Sequence, residues 1–379
     1  MIERNIEDKI KTVLFKGKAI ILYGARQTGK TTLVKSIAAD YGEKAKYFNG
    51  DISDIKMLFS DITPTMFKRI IGKSKLVIID EAQSIHNIGT SLKIIVDEIS
   101  DVQILATGSS AFELADKTSE PLTGRKYEFQ LYPFSYNELS RHYGLIEENR
   151  LLYERLVYGC YPEIVTTPDN EKTDLLRALS GSYLYKDILM LDYVKKPALL
   201  EKLLRALALQ IGSEVNYNEL AKFLKADYKT IEKYIDLLCK TFVIFVLPAL
   251  NRNVRNEITK GRKIYFMDNG IRNAVIGDFN IVENRTDIGA LWENYLISER
   301  LKYLNNNKLY NQSFFWRTTQ QQEIDYVEEN ESGNKMYAWE FKWSNKKNAR
   351  FSKTFINAYS DLLEKKELVN PENYTSFIS

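Results

Sequence analysis

A glycine-rich segment near the amino terminus has the residue types and spacing that bind phosphate. Residues 24–31 read GARQTGKT, which matches G-x-x-x-x-G-K-[ST] in full. An apolar run at 19–23 precedes this segment and a helical pattern follows it, so the loop would join a buried strand to a helix amino terminus. Lys30 would neutralise the β- and γ-phosphates, and Thr31 would be a ligand of Mg²⁺. The sequence therefore predicts a nucleoside triphosphate site.

The predicted cofactors at this site are ATP and Mg²⁺. A glycine loop in isolation could also be no more than a tight turn, but this one lies between a strand and a helix, where the motif requires it. The residues predicted to bind the nucleotide are Gly24, Ala25, Arg26, Gln27, Thr28, Gly29, Lys30, Thr31 and Thr32.

A second motif supplies the acids that such a site needs. Residues 76–81 read LVIIDE, four apolar residues that end in two acids, which is the Walker B pattern. Asp80 is predicted to hold Mg²⁺ through its hydration shell, and Glu81 to orient and polarise the attacking water. An isolated Asp-Glu pair could be only a strand end. Because it follows the phosphate loop in chain order, we predict Lys30 and Glu81 to be catalytic.

Two acids and a lysine near the carboxyl terminus form a second candidate site. Glu340 and Lys342 are two residues apart in a predicted strand, so they share one face, while their aromatic neighbours would face a core. Asp325 lies in another alternating segment, and a hairpin would place it beside Glu340. Carboxylates hold the hard cation Mg²⁺, and a lysine positions water. Asp325, Glu340 and Lys342 are therefore predicted to catalyse metal-dependent phosphodiester cleavage.

Glu293 is a further candidate metal ligand. It shares a predicted helix face with Ala290, Leu296 and Ile297, and an acid on an apolar face is costly unless it has a partner. The alternative for the Glu-x-Lys pair is an exposed polar strand face, where ion pairs contribute little. The residues predicted to bind metal are Thr31 and Asp80 at the first site and Glu293, Asp325 and Glu340 at the second.

The elements that must position these residues differ along the chain. In the first 110 residues, apolar runs at 19–23, 45–48, 75–79 and 102–106 alternate with helical patterns, and residues 125–131 predict one more strand. Continuous apolar strands separated by helices are typical of a parallel sheet that is covered on both faces. We predict an α/β nucleotide-binding domain over residues 1–145 and a helical lid or linker over 146–197.

The middle of the chain predicts a winged helix over residues 198–268. Two helical patterns around a short turn precede two apolar strands, which is the order of that motif. Its basic residues would contact DNA phosphates rather than bases. The alternative is a lid with a solvated basic loop. The basic residues in question are Lys229, Lys233, Lys240, Arg252, Arg255, Lys260, Arg262 and Lys263.

Residues 269–379 are predicted to form a separate α/β domain. A helix at 288–303 precedes strands at 313–316, 323–328 and 336–343, and a further helix follows from residue 346. Lys346, Lys347, Arg350 and Lys353 would contact a phosphate backbone or form a solvated helix face.

The first two motifs resemble those of the AAA+ ATPases, in the branch common among uncharacterised archaeal and bacterial ATPases. The resemblance covers residues 1 to about 150 and includes IDEAQ at 79–83 and ATGSS at 106–110. It implies a polar sensor-1 residue that reads the γ-phosphate, for which Ser109 matches best and Thr107 next; Ser109 could instead cap a helix. It also implies an arginine finger at Arg125, which could otherwise be a solvated strand residue. No sensor-2 arginine is recognised in the sequence.

The C-terminal pattern resembles the PD-(D/E)xK nuclease superfamily and the domain of unknown function that commonly follows this AAA+ branch. The resemblance covers roughly residues 200–379 and includes WEN at 292–294, EIDY at 323–326 and EFKW at 340–343. Ile324 stands where the superfamily motif has proline. The resemblance implies a restriction-endonuclease-like α/β fold and leaves its activity open.

The composition excludes several other classes of protein. The 379 residues are 44% hydrophobic and 27% charged, which fits two or three globular domains and excludes disordered and collagen-like chains. Two cysteines and two histidines exclude a four-cysteine zinc site and a disulfide framework, and they fit a reducing compartment. No signal peptide or membrane-spanning run is present, so we predict a cytoplasmic protein with no membrane partner.

Two functional interpretations follow from these patterns. In the first, an ATP-hydrolysing AAA+ domain moves a winged helix and a nuclease-like domain on DNA, so ATP and DNA are the partners. In the second, the chain is a nucleotide-dependent switch or scaffold that recruits a protein partner through an inactive nuclease-like domain. An arginine finger would require a homo-oligomer. A remodeller of other proteins is a third interpretation, and no sequence element favours it.

Overall fold

The chain folds into two compact units. The computed structural model describes residues 2–109, 122–183, 194–250, 261–318, 320–344 and 351–379. The first unit contains Met1–Phe134 and Lys240–Phe242, and the second contains Ser135–Cys239 and Val243–Ser379.

The first unit contains a five-stranded sheet in which every strand pair is parallel. The strand order is β2-β3-β4-β1-β5, so the parallel α/β sheet predicted from the apolar runs is confirmed. The strands are β1 (Ala19–Tyr23), β2 (Ala45–Asn49), β3 (Leu76–Asp80), β4 (Gln103–Gly108) and β5 (Lys126–Gln130). The described helices are α1 (Asn5–Val13), α2 (Lys30–Ala39), α3 (Ser53–Ser60), α4 (Pro64–Ile71) and α5 (Ile88–Glu98).

Apolar side chains cover both faces of this sheet. Alternate residues of one strand point to opposite faces, so Ile20 and Leu22 pack with α1 and α2, whereas Ile21 packs with α3, α4 and α5. All five residues of β1 and of β3 are buried. This double coverage explains why these strands are continuous apolar runs rather than alternating ones.

The strand order determines which polar side chains can meet at the carboxyl edge of the sheet. The phosphate loop follows β1 and the Walker B acids end β3, and β4 lies between these two strands. Thr107 near the end of β4 pairs with Leu22 of β1, and Ala106 pairs with Ile79 of β3. A side chain at the end of β4 can therefore reach both motifs.

The second unit begins with a helical segment and a β-hairpin. After residue 209, the order of two helices and two strands is the one that the sequence predicts for residues 198–268. The helices are α6 (Tyr136–Tyr143), α7 (Leu145–Arg150), α8 (Leu152–Tyr158), α9 (Pro162–Thr166), α10 (Asp169–Ala178), α11 (Pro197–Leu209), α12 (Tyr217–Leu224) and α13 (Tyr228–Lys240), and a π-helical turn covers Leu179–Tyr183. The hairpin strands are β6 (Ile244–Pro248) and β7 (Arg262–Phe266), and α14 (Asn269–Ile276) follows them.

The last part of the second unit is a four-stranded mixed sheet. Its strand order is β11-β10-β9-β8, in which β8, β9 and β10 are antiparallel neighbours and β11 is parallel to β10. The elements are α15 (Ile288–Asn307), β8 (Gln312–Arg317), β9 (Glu323–Glu329), β10 (Met336–Phe341), α16 (Lys353–Ala358), β11 (Leu363–Val369) and α17 (Thr375–Ile378). The predicted C-terminal sheet domain is confirmed in this form.

Hydrogen bonds join the hairpin segment to the C-terminal sheet and to α15. Leu250 N–H donates to the carbonyl oxygen of Phe315 over 2.6 Å, and the Leu250 side chain packs into the core of the C-terminal sheet. The Asn294 side chain on α15 accepts from Phe266 N–H and donates to the Phe266 carbonyl oxygen, over 2.7 and 3.0 Å. The boundary predicted between residues 268 and 269 therefore lies within one compact unit.

Some predicted features differ from the structure or fall outside its described ranges. Strand β10 ends at Phe341, so Lys342 follows the strand, although its N–H still donates to the Val369 carbonyl oxygen over 2.9 Å. Within the described ranges, no helix combines the length and apolarity that a bilayer span requires. Several residues named in the sequence analysis lie outside the described ranges: Ser110 of the ATGSS segment, and the basic residues Arg252, Arg255, Lys260, Lys346, Lys347 and Arg350.

Candidate functional site

Two glycines shape the phosphate loop. A Cβ atom built on Gly24, which follows β1, would lie 2.3 Å from the backbone oxygen of Leu131, so the close approach of the two segments requires glycine. Gly29 precedes α2 with a φ of +93°, a left-handed conformation that glycine adopts without strain. The loop geometry thus depends on both glycines of the motif.

The polar groups of the loop face inward. The Lys30 side chain is 5% exposed, and its Nζ donates to the carbonyl oxygens of Gly24 and Ala25, over 2.8 Å in each case. Thr28 Oγ1 also donates to the Ala25 carbonyl oxygen, over 2.8 Å. The Gln27 side-chain oxygen is buried and has no hydrogen-bond partner among the described residues. A buried polar atom without a partner, in the same loop as a buried ammonium group, fits a loop that binds a polar ligand.

The remaining predicted loop contacts differ in exposure. Ala25 and Arg26 are partly buried within the loop, and Thr31 is partly buried in the first turn of α2. Thr32 is exposed in the same turn. The structure therefore places all nine predicted residues on one continuous loop and helix start.

The Asp80 carboxylate lies at the centre of the site. It is 2% exposed and accepts hydrogen bonds from three hydroxyl groups. Thr31 and Tyr47 donate to Oδ2 over 2.7 and 2.6 Å, and Thr107 donates to Oδ1. A buried charge is costly unless it is hydrogen-bonded, and these three bonds satisfy that requirement.

Glu81 adopts a strained backbone conformation directly after β3. Its φ is +51°, which is uncommon for a residue other than glycine and is typical of functional sites. Its N–H donates to Thr107 Oγ1 over 3.1 Å, and its carboxylate accepts from the Gln83 side-chain amide. A Cβ atom on Gly50 would lie 2.6 Å from the Glu81 carbonyl oxygen, so glycine is required there too.

The structure distinguishes the two candidate sensor-1 residues. Thr107 contacts both Asp80 and the Glu81 backbone. The Ser109 hydroxyl is buried and has no hydrogen-bond partner among the described residues. The motif spacing ranks Ser109 first, but Thr107 is the residue that bonds to the acidic motif, because β4 lies between β1 and β3.

Arg125 lies at the opposite edge of the sheet from the phosphate loop. It directly precedes β5, where Lys126 pairs with Ala19 at the start of β1, whereas the loop follows the end of β1. Its side chain is 41% exposed, and its Nε donates to Asp97 Oδ1 over 2.6 Å. Within its own chain, Arg125 is therefore placed away from the nucleotide site.

Two residues that the sequence analysis did not identify also support the site. Tyr47 on β2 bonds to Asp80, and burial together with that carboxylate raises the pKa of the Tyr47 hydroxyl above its ordinary value. Arg4 donates to the carbonyl oxygen of Thr28 over 2.8 Å and lies 4.6 Å from the Phe134 ring centre. Tyr47 lies two residues before the end of β2, and this position near the carboxyl edge of the sheet is the one sequence feature that could have indicated its role. No feature of the neighbouring sequence indicates the role of Arg4.

The second candidate site brings together the residues predicted from the C-terminal pattern. Trp339 pairs with Tyr326 between β10 and β9, which places Glu340 next to Asp325. Lys342 Nζ lies 3.0 Å from Glu340 Oε2 and 3.6 Å from Asp325 Oδ2. Phe341 N–H donates to Asp325 Oδ2 over 2.7 Å. The two carboxylates therefore flank a single ammonium group.

Burial changes the acidity of Glu340. Burial, followed by the nearby Asp325 carboxylate, raises the pKa of Glu340 to about 7, although Lys342 opposes the shift. At neutral pH this carboxyl group therefore carries a proton in a large fraction of the molecules.

Glu293, which the sequence predicts to be a metal ligand, bonds to two residues of β7. Lys263 Nζ lies 3.0 Å from Glu293 Oε1, and the Tyr265 hydroxyl donates to the same oxygen. Burial raises the pKa of Glu293, and Lys263 opposes the shift. Burial alone would lower the pKa of Lys263, but Glu293 and Glu323 together raise it.

The prediction that Lys263 contacts DNA from a wing is wrong. Its side chain is only 2% exposed, and its ammonium group is paired with Glu293 and with Glu323. The neighbouring Arg262 lies 4.8 Å from the Tyr217 ring centre. On α13, Lys229 and Lys233 are exposed, but the acids Glu232 and Asp236 are exposed beside them.

The acids of the C-terminal site are not arranged as a preformed three-ligand metal site. Among the described residues, no group of three or more His, Cys, Asp and Glu side chains is positioned to hold a metal ion. Asp325 and Glu340 remain as a pair, which suits Mg²⁺, because this ion is commonly held by one or two carboxylates together with water and phosphate oxygens.

Thr107 and Ser109 provide a matched comparison at the nucleotide site. We expect Thr107→Val to lower the ATP turnover number by about tenfold or more, because it removes a hydroxyl that bonds to a buried carboxylate. Ser109→Ala removes a hydroxyl without a described partner and should change turnover by about twofold or less. Steady-state phosphate release measures both, and equal losses in the two variants would contradict the assignment.

Glu340 should make stability depend on pH. The folded protein retains its proton up to about pH 7, whereas the unfolded chain releases it near the ordinary value of 4.5. Raising the pH from 4.5 to 7 therefore favours the unfolded chain, by roughly 1 kcal/mol per pH unit. Denaturant unfolding in EDTA should show a smaller decline in Glu340→Gln, and the same decline in both proteins would argue against a raised pKa.

Three family models match consecutive parts of the chain. Residues 16–140 match an AAA domain. Residues 149–282 match a domain of unknown function, DUF8612, and residues 288–377 match another, DUF4143. The last two descriptions assign no activity to the second unit.

The chain also resembles uncharacterised bacterial proteins over most of its length. An uncharacterised protein of Mycobacterium tuberculosis is 27% identical over 330 residues, which cover 86% of this chain and 71% of that protein. An uncharacterised protein of Haemophilus influenzae is 25% identical over 287 residues, which cover 68% of this chain and 69% of that protein.

Solved structures share only distant similarity. The crystal structure of Cdc6p from Pyrobaculum aerophilum aligns with 12% identity and a TM-score of 0.30, over 72% of this chain and 92% of that one. The structure of Drosophila ORC bound to DNA aligns with 15% identity and a TM-score of 0.26, over 36% of this chain and 94% of that one. TM-scores of this size do not identify a shared fold.

The AAA match covers the five-stranded parallel sheet and includes both the phosphate loop and the Asp80–Glu81 motif. Residues 16–140 therefore match an AAA domain and contain a five-stranded parallel sheet that is typical of P-loop ATPases.

Proposed function

We propose that this protein binds ATP with Mg²⁺ at the phosphate loop and hydrolyses it. The observation that carries the proposal is the 2.7 Å hydrogen bond from Thr31 Oγ1 to Asp80 Oδ2. In P-loop ATPases, a loop threonine and a Walker B aspartate hold Mg²⁺ together. Here the two groups already meet, so Thr31 would bind the ion directly and Asp80 would hold it through water.

The residues of the loop would bind the triphosphate. Backbone N–H groups from Gly24 to Thr31 would surround the phosphates, and Lys30 would transfer its hydrogen bonds from the loop carbonyl oxygens to phosphate oxygens. Bound Mg²⁺ neutralises the negative charge of the β- and γ-phosphates. Glu81 would orient the attacking water, and Thr107 would keep Asp80 and the Glu81 backbone in register.

Substitutions of Lys30 and Glu81 distinguish ATP binding from ATP hydrolysis. Lys30→Ala should abolish tight ATP binding and lower hydrolysis by about 100-fold or more, because the phosphates lose their main cation. Glu81→Gln should still bind ATP, measured with a fluorescent analogue, while losing turnover to a similar extent. If Lys30→Ala hydrolysed ATP at the wild-type rate, the proposed site would be wrong.

We further propose that Asp325, Glu340 and Lys342 form a metal-dependent phosphodiesterase site that acts on DNA. The observation in favour is that side chains from separate parts of the chain converge, with Lys342 Nζ 3.0 Å from Glu340 and 3.6 Å from Asp325. Two adjacent carboxylates suit one Mg²⁺ ion, and a neighbouring lysine can position a water molecule for attack on phosphorus.

The surrounding fold also supports this proposal. The order α15-β8-β9-β10-α16-β11, with an antiparallel meander and a parallel fourth strand, is compatible with the nuclease-like fold that the sequence resembles. The helices α12 and α13 and the hairpin β6–β7 follow the order of a winged helix, on which Lys229 and Lys233 are exposed. ATP hydrolysis would then control access of DNA to the second site.

A cleavage assay tests the second function. Wild-type protein is incubated with supercoiled plasmid and with single-stranded DNA, in Mg²⁺ or Mn²⁺, with and without ATP. We expect cleavage that Asp325→Asn abolishes, because that variant loses a metal-binding charge. Glu364→Gln, which alters an exposed carboxylate on β11 of the same sheet, is the matched control and should cut normally.

The result also decides between the two functional interpretations. If Lys30→Ala changes cleavage, ATP controls the second site. If DNA stays intact under all these conditions while Lys30-dependent ATP hydrolysis continues, the nuclease proposal is wrong. The favoured function would then be a nucleotide-dependent switch that recruits a protein partner.

A further inference from the structure

We infer that the C-terminal site holds one divalent cation, and that Lys263 supplies a permanent positive charge where Glu293 and Glu323 would otherwise bind a second. This inference rests on the proposal that Asp325 and Glu340 hold a cation. It assigns a positioning role to a lysine of the β6–β7 hairpin, outside the matched region 288–377 that contains the acids.

Lys263 is enclosed by the two acids. Its ammonium group lies 3.0 Å from Glu293 Oε1 and also pairs with Glu323 Oε1. It lies 5.4 Å from the Phe315 ring centre, so an aromatic face covers a further side. The side chain is 2% exposed, so bulk cations cannot readily replace it.

The backbone fixes the position of this ammonium group. Lys263 pairs with Leu247 of β6 on one side and forms an isolated antiparallel bridge with Glu214 on the other. The backbone of Lys263 is therefore fixed on both sides. Its two ion pairs and its burial then keep the ammonium group beside Glu293 and Glu323.

Glu293 offers little room for a metal ion. Its Oε1 is bonded by Lys263 and by the Tyr265 hydroxyl. Its Oε2 lies beside the turn at Gly212. Because Oε1 already accepts two hydrogen bonds and only 16% of the side chain is exposed, a metal ion would have to displace Lys263 or Tyr265 to bind Oε1.

The charges agree with one divalent cation. The cluster contains four carboxylates, Glu293, Glu323, Asp325 and Glu340, and two lysines, Lys263 and Lys342. Once Glu340 has released the proton that it holds near neutral pH, all six groups are ionised and two negative charges remain, which one divalent cation balances. A second cation would leave an excess of two positive charges in a largely buried site, which is unfavourable.

The test is the number of Mn²⁺ ions bound by the nucleotide-free full chain, measured by isothermal titration calorimetry. Wild-type protein should bind one Mn²⁺, and Asp325→Asn should bind none. Glu293→Gln should still bind one, with an affinity within about tenfold of wild type, since Glu293 is a neighbour and not a ligand. Lys263→Met should bind a second ion, because Glu293 and Glu323 lose their cation, while Lys263→Arg should still bind one.

The variants distinguish failure of this inference from failure of the proposal that Asp325 and Glu340 hold a cation. If wild-type protein binds no Mn²⁺ that depends on Asp325, the proposed cation site and the inference both fail. If Asp325→Asn and Glu293→Gln both abolish binding, the cation site stands but Glu293 is a ligand, and the inference is overturned. If wild-type protein binds two Mn²⁺ ions, or if folded Lys263→Met binds only one, the inference is overturned. Should Lys263→Met fail to fold because its buried acids are unpaired, Lys263→Arg and Glu293→Gln still test the ion count and the role of Glu293.

Discussion

The Asp80 carboxylate is the interaction on which the nucleotide site depends. It ends the central strand β3 in a nearly dry position, and hydroxyl groups from α2, β2 and β4 make up for the water that it has lost. Each of those elements is thereby held in register at the carboxyl edge of the sheet. The sheet places these elements side by side. The hydrogen bonds of Asp80 then align the phosphate loop with β4, and Thr107 of β4 in turn bonds to the strained residue Glu81.

In the C-terminal site, lysine ammonium groups rather than hydroxyl groups compensate the buried negative charge. Lys342 lies between Asp325 and Glu340, and Lys263 lies between Glu293 and Glu323. The two lysines differ in access to solvent, because Lys342 is about one-third exposed whereas Lys263 is enclosed. Asp325 and Glu340 can therefore exchange the ammonium group of Lys342 for another ligand. Glu293 and Glu323 keep the ammonium group of Lys263.

Sequence patterns predicted those features that depend on neighbouring residues. The phosphate loop, the apolar parallel strands and the C-terminal sheet follow from local spacing and alternation, and the structure contains them. Contacts between distant residues were not predictable in this way. Tyr47 meets Asp80 across 33 positions and Lys263 meets Glu293 across 30. Likewise, Thr107 lies near the end of β4 and Ser109 directly follows this strand, and only the packed strands show that Thr107 bonds to Asp80 and to the Glu81 backbone.

The Asn294 side chain bonds to both the N–H and the carbonyl oxygen of Phe266, so a helix of one matched region completes the hydrogen bonding of a strand in the other. Together with the Lys263 ion pairs, this contact makes the junction between residues 282 and 288 unsuitable for recombination. An exchange of either region alone would leave a buried lysine without acids, or buried acids without a lysine. The two regions of unknown function should therefore be inherited as one piece, with substitutions on one side compensated on the other.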